Sequence, residues 1–228
     1  EIAAEDDAGD PRQATAVAQK LCDQKVAGVV GHLQSGTSIP ASAVYAKCDL
    51  PHITASASNP DLTKPGHKTT FRLIANDNAL GAALALFGAD HLKLKSVAII
   101  DDRTAYGQGV ASVFKATAQQ KGLKVVAEEF TNDKATDFMA ILTAIKNKKP
   151  DAIFYGGLDA QAGPMLRQME QLGLGNVKFF GGDALCTEKL PELSGKTPAL
   201  KNVTCATGGA SVDKMQGGSD WKLSLIHI

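Results

Sequence analysis

Two loops concentrate the side chains that could do chemistry. Val26-Ala27-Gly28-Val29-Val30 opens into Gly31-His32-Leu33-Gln34-Ser35-Gly36-Thr37-Ser38, and Pro51-His52-Ile53 opens into Thr54-Ala55-Ser56-Ala57-Ser58-Asn59. Each apolar run reads as a short parallel strand, and ligands of open α/β sheets sit outside the carboxyl ends of such strands. Hydroxyls and free backbone N–H groups at two neighbouring strand ends suit a small polar or anionic ligand. The two loops therefore read as one wall of a binding cleft.

Motifs for catalysis are not met. Leu33 stands two residues before Ser35, where the nucleophile elbow G-x-S-x-G needs glycine. Gly107-Gln108-Gly109 leads to Ser112 in place of the third glycine of a dinucleotide fingerprint, and there is no Walker A sequence. His32, His52, His67, His91 and His227 form no H-E-x-x-H and read mostly as surface or loop residues. The chain is expected to bind rather than to catalyse, with no cofactor and no metal.

The elements that must position these loops alternate regularly. Asp10-Pro11 is an N-cap followed by proline at the first helical position, and Ala14, Val17, Ala18 and Leu21 mark one buried helix face. Strands are expected over Val26–Val30, from Pro51 to Ile53 and over Thr69–Ile74. Helices are expected from Ser38-Ile39-Pro40 towards Lys47 and over Ala79–Leu92. A second series starts with the β-branched run Ser96–Ile100. It continues with a helix face at Val110, Val113, Phe114 and Ala118, closed by Gly122, and a strand at Val125-Val126. Phe138, Ile141, Leu142 and Ile145 form another face, with lysines at its carbonyl end. Ala152–Tyr155, a helix through Met165, Leu166, Met169 and Leu172, and Val177–Phe180 complete the series. Such alternation points to α/β architecture, with mostly parallel sheets and helices on both faces. Asn76–Asn78 and the new strand at Val97 divide it into two units, with a crossover near residues 90–95.

Composition excludes several classes. The chain has 228 residues, 44% hydrophobic and 21% charged, with 24 basic and 24 acidic residues. That balance offers no field for nucleic acid or an anionic membrane, and 5% aromatics supplies no base-stacking platform. No apolar run approaches the roughly 20 residues that cross a bilayer. The start without Met, inside a strand-like run ending at Glu5-Asp6-Asp7, reads as that of a fragment. Cys186 and Cys205 flank a Pro/Gly-bearing segment and can close a disulfide in an oxidising compartment. Cys22 and Cys48 are a second possible pair, with buried free thiols the alternative for each.

Several phrases in order resemble the periplasmic leucine/isoleucine/valine-binding protein family of ABC transporters. They are Glu5-Asp6-Asp7…Asp10-Pro11, Gly31-His32-Leu33…Ser35, Pro40-Ala41-Ser42…Tyr45, Ile53-Thr54…Ser58 and Thr70-Phe71-Arg72. The second half adds Asp101–Gly107, Phe154-Tyr155-Gly156-Gly157 and Gly181-Gly182-Asp183. The resemblance implies a two-lobed type I periplasmic-binding-protein fold: lobe 1 over 1–92, without the family's first strand–helix unit, and a partial lobe 2 over 93–208. Residues 209–228 read as a foreign or mis-assembled tail. It implies a periplasmic solute-binding protein, with a signal peptide in the full-length protein. That protein closes like a Venus flytrap on an amino acid of the branched-chain class and delivers it to ABC permease subunits, without inserting in the membrane. The alternative is a sensing or receptor module of the same fold that binds an amide or other amino-acid-like molecule.

The resemblance also assigns residues. Leu33-Gln34-Ser35 matches the loop that binds the ligand's carboxylate. In Ser56-Ala57-Ser58, the Ser56 carbonyl and the Ser58 hydroxyl match partners of the ammonium. Asp183 matches the acidic residue that meets the ammonium from lobe 2, where the compared pattern has Glu. Tyr106 matches a cleft aromatic and Leu158 replaces one; Asp77, for which no family position is matched, is a candidate cleft residue from its place at a crossover. Gly9 and Gln34 stand where the compared pattern has a disulfide pair, so that bridge is absent.

Overall fold

A computed structural model describes residues 1–209; the expectation for the tail falls, from 210 onward, outside these residues. The first half contains α1 (Pro11–Asp23), β1 (Val29–Val30), α2 (Ser35–Lys47), β2 (His52–Thr54) and β3 (Thr70–Arg72). The three strands form a parallel sheet in the order β1-β2-β3. After α3 (Asp77–Leu86) come β4 (Ser96–Asp101), α4 (Ala105–Gln120), β5 (Lys124–Phe130), α5 (Met139–Lys148), β6 (Ala152–Gly156), α6 (Asp159–Gln171), β7 (Lys178–Gly181), α7 (Leu190–Leu193) and β8 (Val203–Cys205). These five strands form a second parallel sheet in the order β5-β4-β6-β7-β8. Helices cover both of its faces. One core unites Phe138, Leu142, Met165 and Phe179, and the other unites Val97, Val110, Phe114 and Phe180.

Local chemistry accounts for the element ends. Asp10 accepts from the N–H groups of Arg12 and Gln13 at 2.8 and 2.9 Å, so α1 starts as expected. Gly122 and Gly173 follow α4 and α6 with φ of +80° and +74°, the left-handed turn that glycine adopts without a Cβ penalty. Gly81 lets α3 and α4 meet closely, since a β-carbon there would lie 3.0 Å from the Val110 carbonyl and the Phe114 nitrogen.

Several sequence expectations need correction. Residues 1–7 form no strand: β1 pairs only with β2, and Asp6 and Asp7 instead accept from the Ala8 and Gly9 N–H groups in tight local turns. Helix α2 begins at Ser35, not at Ser38-Ile39-Pro40, so Pro40 lies inside it. The Gln34 carbonyl already collects the Thr37 and Ser38 N–H groups, and the proline removes only one later bond. The strand at Val125-Val126 extends through Glu128 and Glu129 to Phe130, because β5 is an edge strand whose charged side chains reach solvent. Strand β8 and helix α7 lie in the segment read as a loop between Cys186 and Cys205. Both disulfides, Cys22–Cys48 and Cys186–Cys205, are closed.

Helix α3 follows the smaller sheet in sequence but packs with the larger one. Leu84 and Ala85 belong to the core of Val97, Val110 and Phe114. The chain also returns beside this crossing, where the Ala75 N–H donates to the Gly208 carbonyl at 3.0 Å.

Candidate ligand-binding cleft

Segments that follow β2 of the smaller sheet and β4 of the larger one meet near the start of α3. The two hydroxyl-bearing loops are stitched together from below. Thr54 Oγ1 donates to the His32 carbonyl at 2.8 Å, Ser56 Oγ donates to the Leu33 carbonyl at 2.6 Å, and the Asn59 N–H donates to Ser35 Oγ at 3.1 Å. Ser38 Oγ also donates to the His32 carbonyl, so Ser38 ties the loop down rather than capping α2. Much of the hydroxyl content is thus structural. Ser35, buried at the first turn of α2, keeps its own proton free to donate. Among the described residues no acceptor takes the Ser35 and Gly36 N–H groups, leaving the positive end of the helix dipole open.

The larger sheet contributes the opposite wall. Tyr106, in the first turn of α4, donates its hydroxyl proton to Asp183 Oδ1 at 2.9 Å and accepts from the Ala184 N–H at 3.3 Å. Thr104 caps that helix by accepting from the Gly107 N–H at 2.9 Å. Gly107 has no room for a β-carbon, which would run into the Asp102 carboxylate and the Gly156 carbonyl. Gly182 is similarly crowded by the Tyr106 hydroxyl. The walls touch where Asn59 Nδ2 donates to the Ala105 carbonyl at 2.6 Å.

Asp77 sits where the two walls join. Its residue is fully buried, and both carboxylate oxygens, like the Ser58 hydroxyl, have no hydrogen-bond partner among the described residues. Burial pushes the Asp77 carboxyl up to about 6. The nearby Ser58 hydroxyl and Arg72 pull it down, while the Asp183 charge pushes it up. Asp183 is itself raised by burial, against the lowering effect of the Tyr106 hydroxyl. Tyr106 is held well above its ordinary value, mainly by burial and then by Asp183, so it remains a proton donor. Arg72 is held by the Asn59 carbonyl at 3.1 Å and is lowered by burial, although Asp77 favours its charge. Two mutually repelling, poorly solvated carboxylates favour a cation between them.

The expected site residues therefore divide. Ser35, Ser58, Asp77, Tyr106 and Asp183 come together at the junction of the lobes. Leu33 (72% exposed), Gln34 and Ser56 line a concavity of about 1270 Å³ along β1, shared with Ile2, Val26 and Val30. Ala57 is buried beneath the second loop, its N–H donating to Thr54 Oγ1 at 3.1 Å. Leu158 is half-buried at the start of α6, packed against the Val110–Phe180 core. Gln34 lies against Gly9, where a β-carbon would lie 3.2 Å from Gln34 Nε2. Asn59, which bridges the walls, was missed. Its signal was present: Asn59-Pro60 is a cap with proline at the next position, and Asn59 Oδ1 accepts from the Asp61 N–H at 2.8 Å. His32 and His52, read as surface or loop residues, are buried. Among the described residues no helix is long and apolar enough to cross a membrane.

These features define a two-lobed α/β fold with a candidate ligand site at the lobe junction. The sequence model of one family, described as periplasmic binding protein, matches residues 1–217, and the chain belongs to that family. It is 37% identical over 204 residues to an amino acid binding protein of Pseudomonas aeruginosa, covering 89% of this chain and 54% of the relative. It is 36% identical over 196 residues to Leu/Ile/Val-binding protein homolog 1 of Brucella suis, covering 86% and 52%. The chain thus spans about half the length of the curated relatives it matches. Among solved structures it resembles a branched-chain amino acid transporter substrate-binding protein of Streptococcus pneumoniae in complex with isoleucine. That match has a TM-score of 0.86 and 26% identity over 98% of this chain and 63% of the other. A leucine-binding protein of Thermotoga maritima shares the fold, with a TM-score of 0.89 and 24% identity over 97% and 62%.

Proposed function

We propose that this chain is part of an extracytoplasmic solute-binding protein that captures a branched-chain amino acid between its lobes and hands it to an ABC permease, with no catalytic step. The observation that carries this reading is the buried, unpartnered pair of Ser58 and Asp77 facing Asp183 across the lobe junction. The ligand's carboxylate is assigned to the first turn of α2, at the Ser35 hydroxyl and the free N–H groups. Its ammonium is assigned to the Ser56 carbonyl, the Ser58 hydroxyl and Asp183, with Tyr106 orienting Asp183 and Asp77 supplying further negative charge. Leu33 and Leu158 are assigned to the aliphatic side chain. Names of relatives from Pseudomonas and Brucella support the ligand class, and two disulfides fit an oxidising compartment such as the periplasm.

The lobe division is placed at residues 73–76, where β3 hands over to α3, rather than at residue 92. Closure then needs only tighter ligand binding in the closed state than in the open one. Calorimetry against leucine, isoleucine, valine, other amino acids and short-chain amides tests the reading. Binding confined to aliphatic amino acids and lost in Ser58→Ala and Asp183→Ala supports it. Amino-acid affinity unchanged in both variants contradicts the assignment.

A further inference from the structure

Beneath the first loop, the buried His32 ring has a partner at each of its nitrogens. Its Nδ1 lies 2.6 Å from Asp7 Oδ2 and its Nε2 lies 2.9 Å from the Tyr45 hydroxyl. Asp7 precedes α1 and Tyr45 lies on α2, so the ring adds a polar link between two segments that also pack through Ala18, Leu21 and Ala41. Asp7, held ionised with its carboxyl below the ordinary value, can only accept, so Nδ1–H faces it, and the Tyr45 hydroxyl, pushed up to about 12 by burial and secondarily by the Asp7 charge, pairs with Nε2. The His32 carbonyl is held as firmly, by Ser38 Oγ at 3.1 Å and Thr54 Oγ1 at 2.8 Å. Ring and backbone are thus fixed immediately before Leu33-Gln34-Ser35.

We propose that His32, clamped between Asp7 and Tyr45, is a positioning residue that sets the backbone presenting Ser35 and the open N–H groups of α2 to the ligand carboxylate. This inference rests on the cleft assignment above and extends it to residues that touch no ligand. Any buried imidazole needs partners for its nitrogens; what singles out this one is that they come from two different elements and that it sits directly before the loop. Here both ring nitrogens are specified from two elements, so loss of either partner frees the ring and the loop it anchors.

The test titrates L-leucine and L-leucinamide into the unmodified chain and into Tyr45→Phe, Asp7→Asn and His32→Gln, each checked for cooperative thermal unfolding. Leucinamide lacks the carboxylate charge, so the ratio of the two affinities isolates the step assigned to the loop. The expected result is leucine binding weakened about tenfold in Tyr45→Phe and Asp7→Asn, the size of one degraded hydrogen bond to a charged group, with leucinamide little changed. Tyr45→Phe keeps the ring packing and carries the test where His32→Gln does not fold. If leucinamide binds below detection, the leucine loss in folded Tyr45→Phe decides: a loss supports the proposal and no loss overturns it. Equal losses for both ligands, or unchanged leucine affinity in the folded variants, overturn it as well. Failure of the unmodified chain to bind leucine overturns the cleft assignment itself, and this proposal with it.

Discussion

The backbone N–H of Asp77 donates to the carbonyl of Ser58 at 2.9 Å, tying the first residue of α3 to the loop after β2. This bond holds the buried Asp77 carboxylate and the Ser58 hydroxyl side by side while leaving both side chains unpartnered among the described residues. A protein selected only for stability has no use for that arrangement. A buried carboxylate without a partner costs free energy, and such groups persist where function uses them.

Asp77→Asn is accordingly expected to stabilise the ligand-free chain at pH 8 by about 1–3 kcal/mol, because a neutral amide is cheaper to bury than an ionised carboxylate, and to weaken amino-acid binding. Chemical denaturation together with calorimetry checks both signs. A variant that is destabilised and still binds normally contradicts the role given to Asp77.

The same residue sets a pH dependence. Its folded value of about 6 lies above the ordinary 3.8, so between these values the native state binds more protons than the unfolded state, and Asp77 contributes a loss of stability as pH rises through the window. His52 acts in the opposite direction. Burial lowers it from 6.5 to about 4, so its contribution is present above 6.5 and is lost as pH falls towards 4. The Asp77 part is therefore read as the difference between the parent and Asp77→Asn. Ligand affinity is expected to fall by up to about tenfold per pH unit below 6 in the parent, as a carboxylate that must ionise takes up a proton. Asp77→Asn should flatten that slope.

Gly109 is the residue of α4 that faces Asn59 and Asp77. A β-carbon there would lie 2.7 Å from Asn59 Nδ2, the atom that bridges to Ala105. Gly109→Ala is expected to hold the lobes apart, weakening ligand binding about tenfold or more by loss of that bond while leaving helix stability unharmed, since alanine favours helix. Small-angle scattering with and without ligand reads the effect as reduced compaction. Normal compaction on binding contradicts it.

The Cys186–Cys205 bridge joins the turn carrying Asp183 to edge strand β8. Closing a loop of this length stabilises by about 3 kcal/mol through loss of unfolded-chain entropy. Cys186→Ser with Cys205→Ser is expected to lower Tm and, by loosening the Asp183 turn, to raise Kd. Breaking Cys22–Cys48, which joins α1 to the end of α2, should lower Tm with little change in Kd. Equal effects on Kd from the two bridges contradict this assignment.

Strand–helix alternation was legible because β-branched runs such as Ser96–Ile100 and helix faces such as Phe138, Leu142 and Ile145 are set by burial, which sequence period reports directly. The start of α1 was legible because Asp10-Pro11 is local chemistry. The start of α2 was not, since Pro40 resembles a first-turn proline while the helix is nucleated by the Gln34 carbonyl. Residues 1–7 misled for a different reason: strand propensity means nothing without a neighbour to pair with. The cleft was half legible. Ser35, Ser58, Tyr106 and Asp183 stand in recognisable loop phrases, but the burial of Asp77 and the bridge made by Asn59 depend on how two sheets meet. Likewise, no local pattern shows that α3 leaves the smaller sheet to pack on α4.

The central claim is that the buried Asp77 carboxylate and the partly buried Asp183 carboxylate require a cationic nitrogen between the lobes. Titration of the chain with L-leucine and with the 2-oxo acid of the same carbon skeleton tests it most directly, because the two ligands share carboxylate and side chain and differ at the nitrogen. Leucine is predicted to bind, and the 2-oxo acid to bind about a hundredfold more weakly or not at all, as expected when a charge-assisted contact is lost and a buried charge is left unpaired. Equal affinity for the two ligands, or tighter binding of the 2-oxo acid, contradicts the claim.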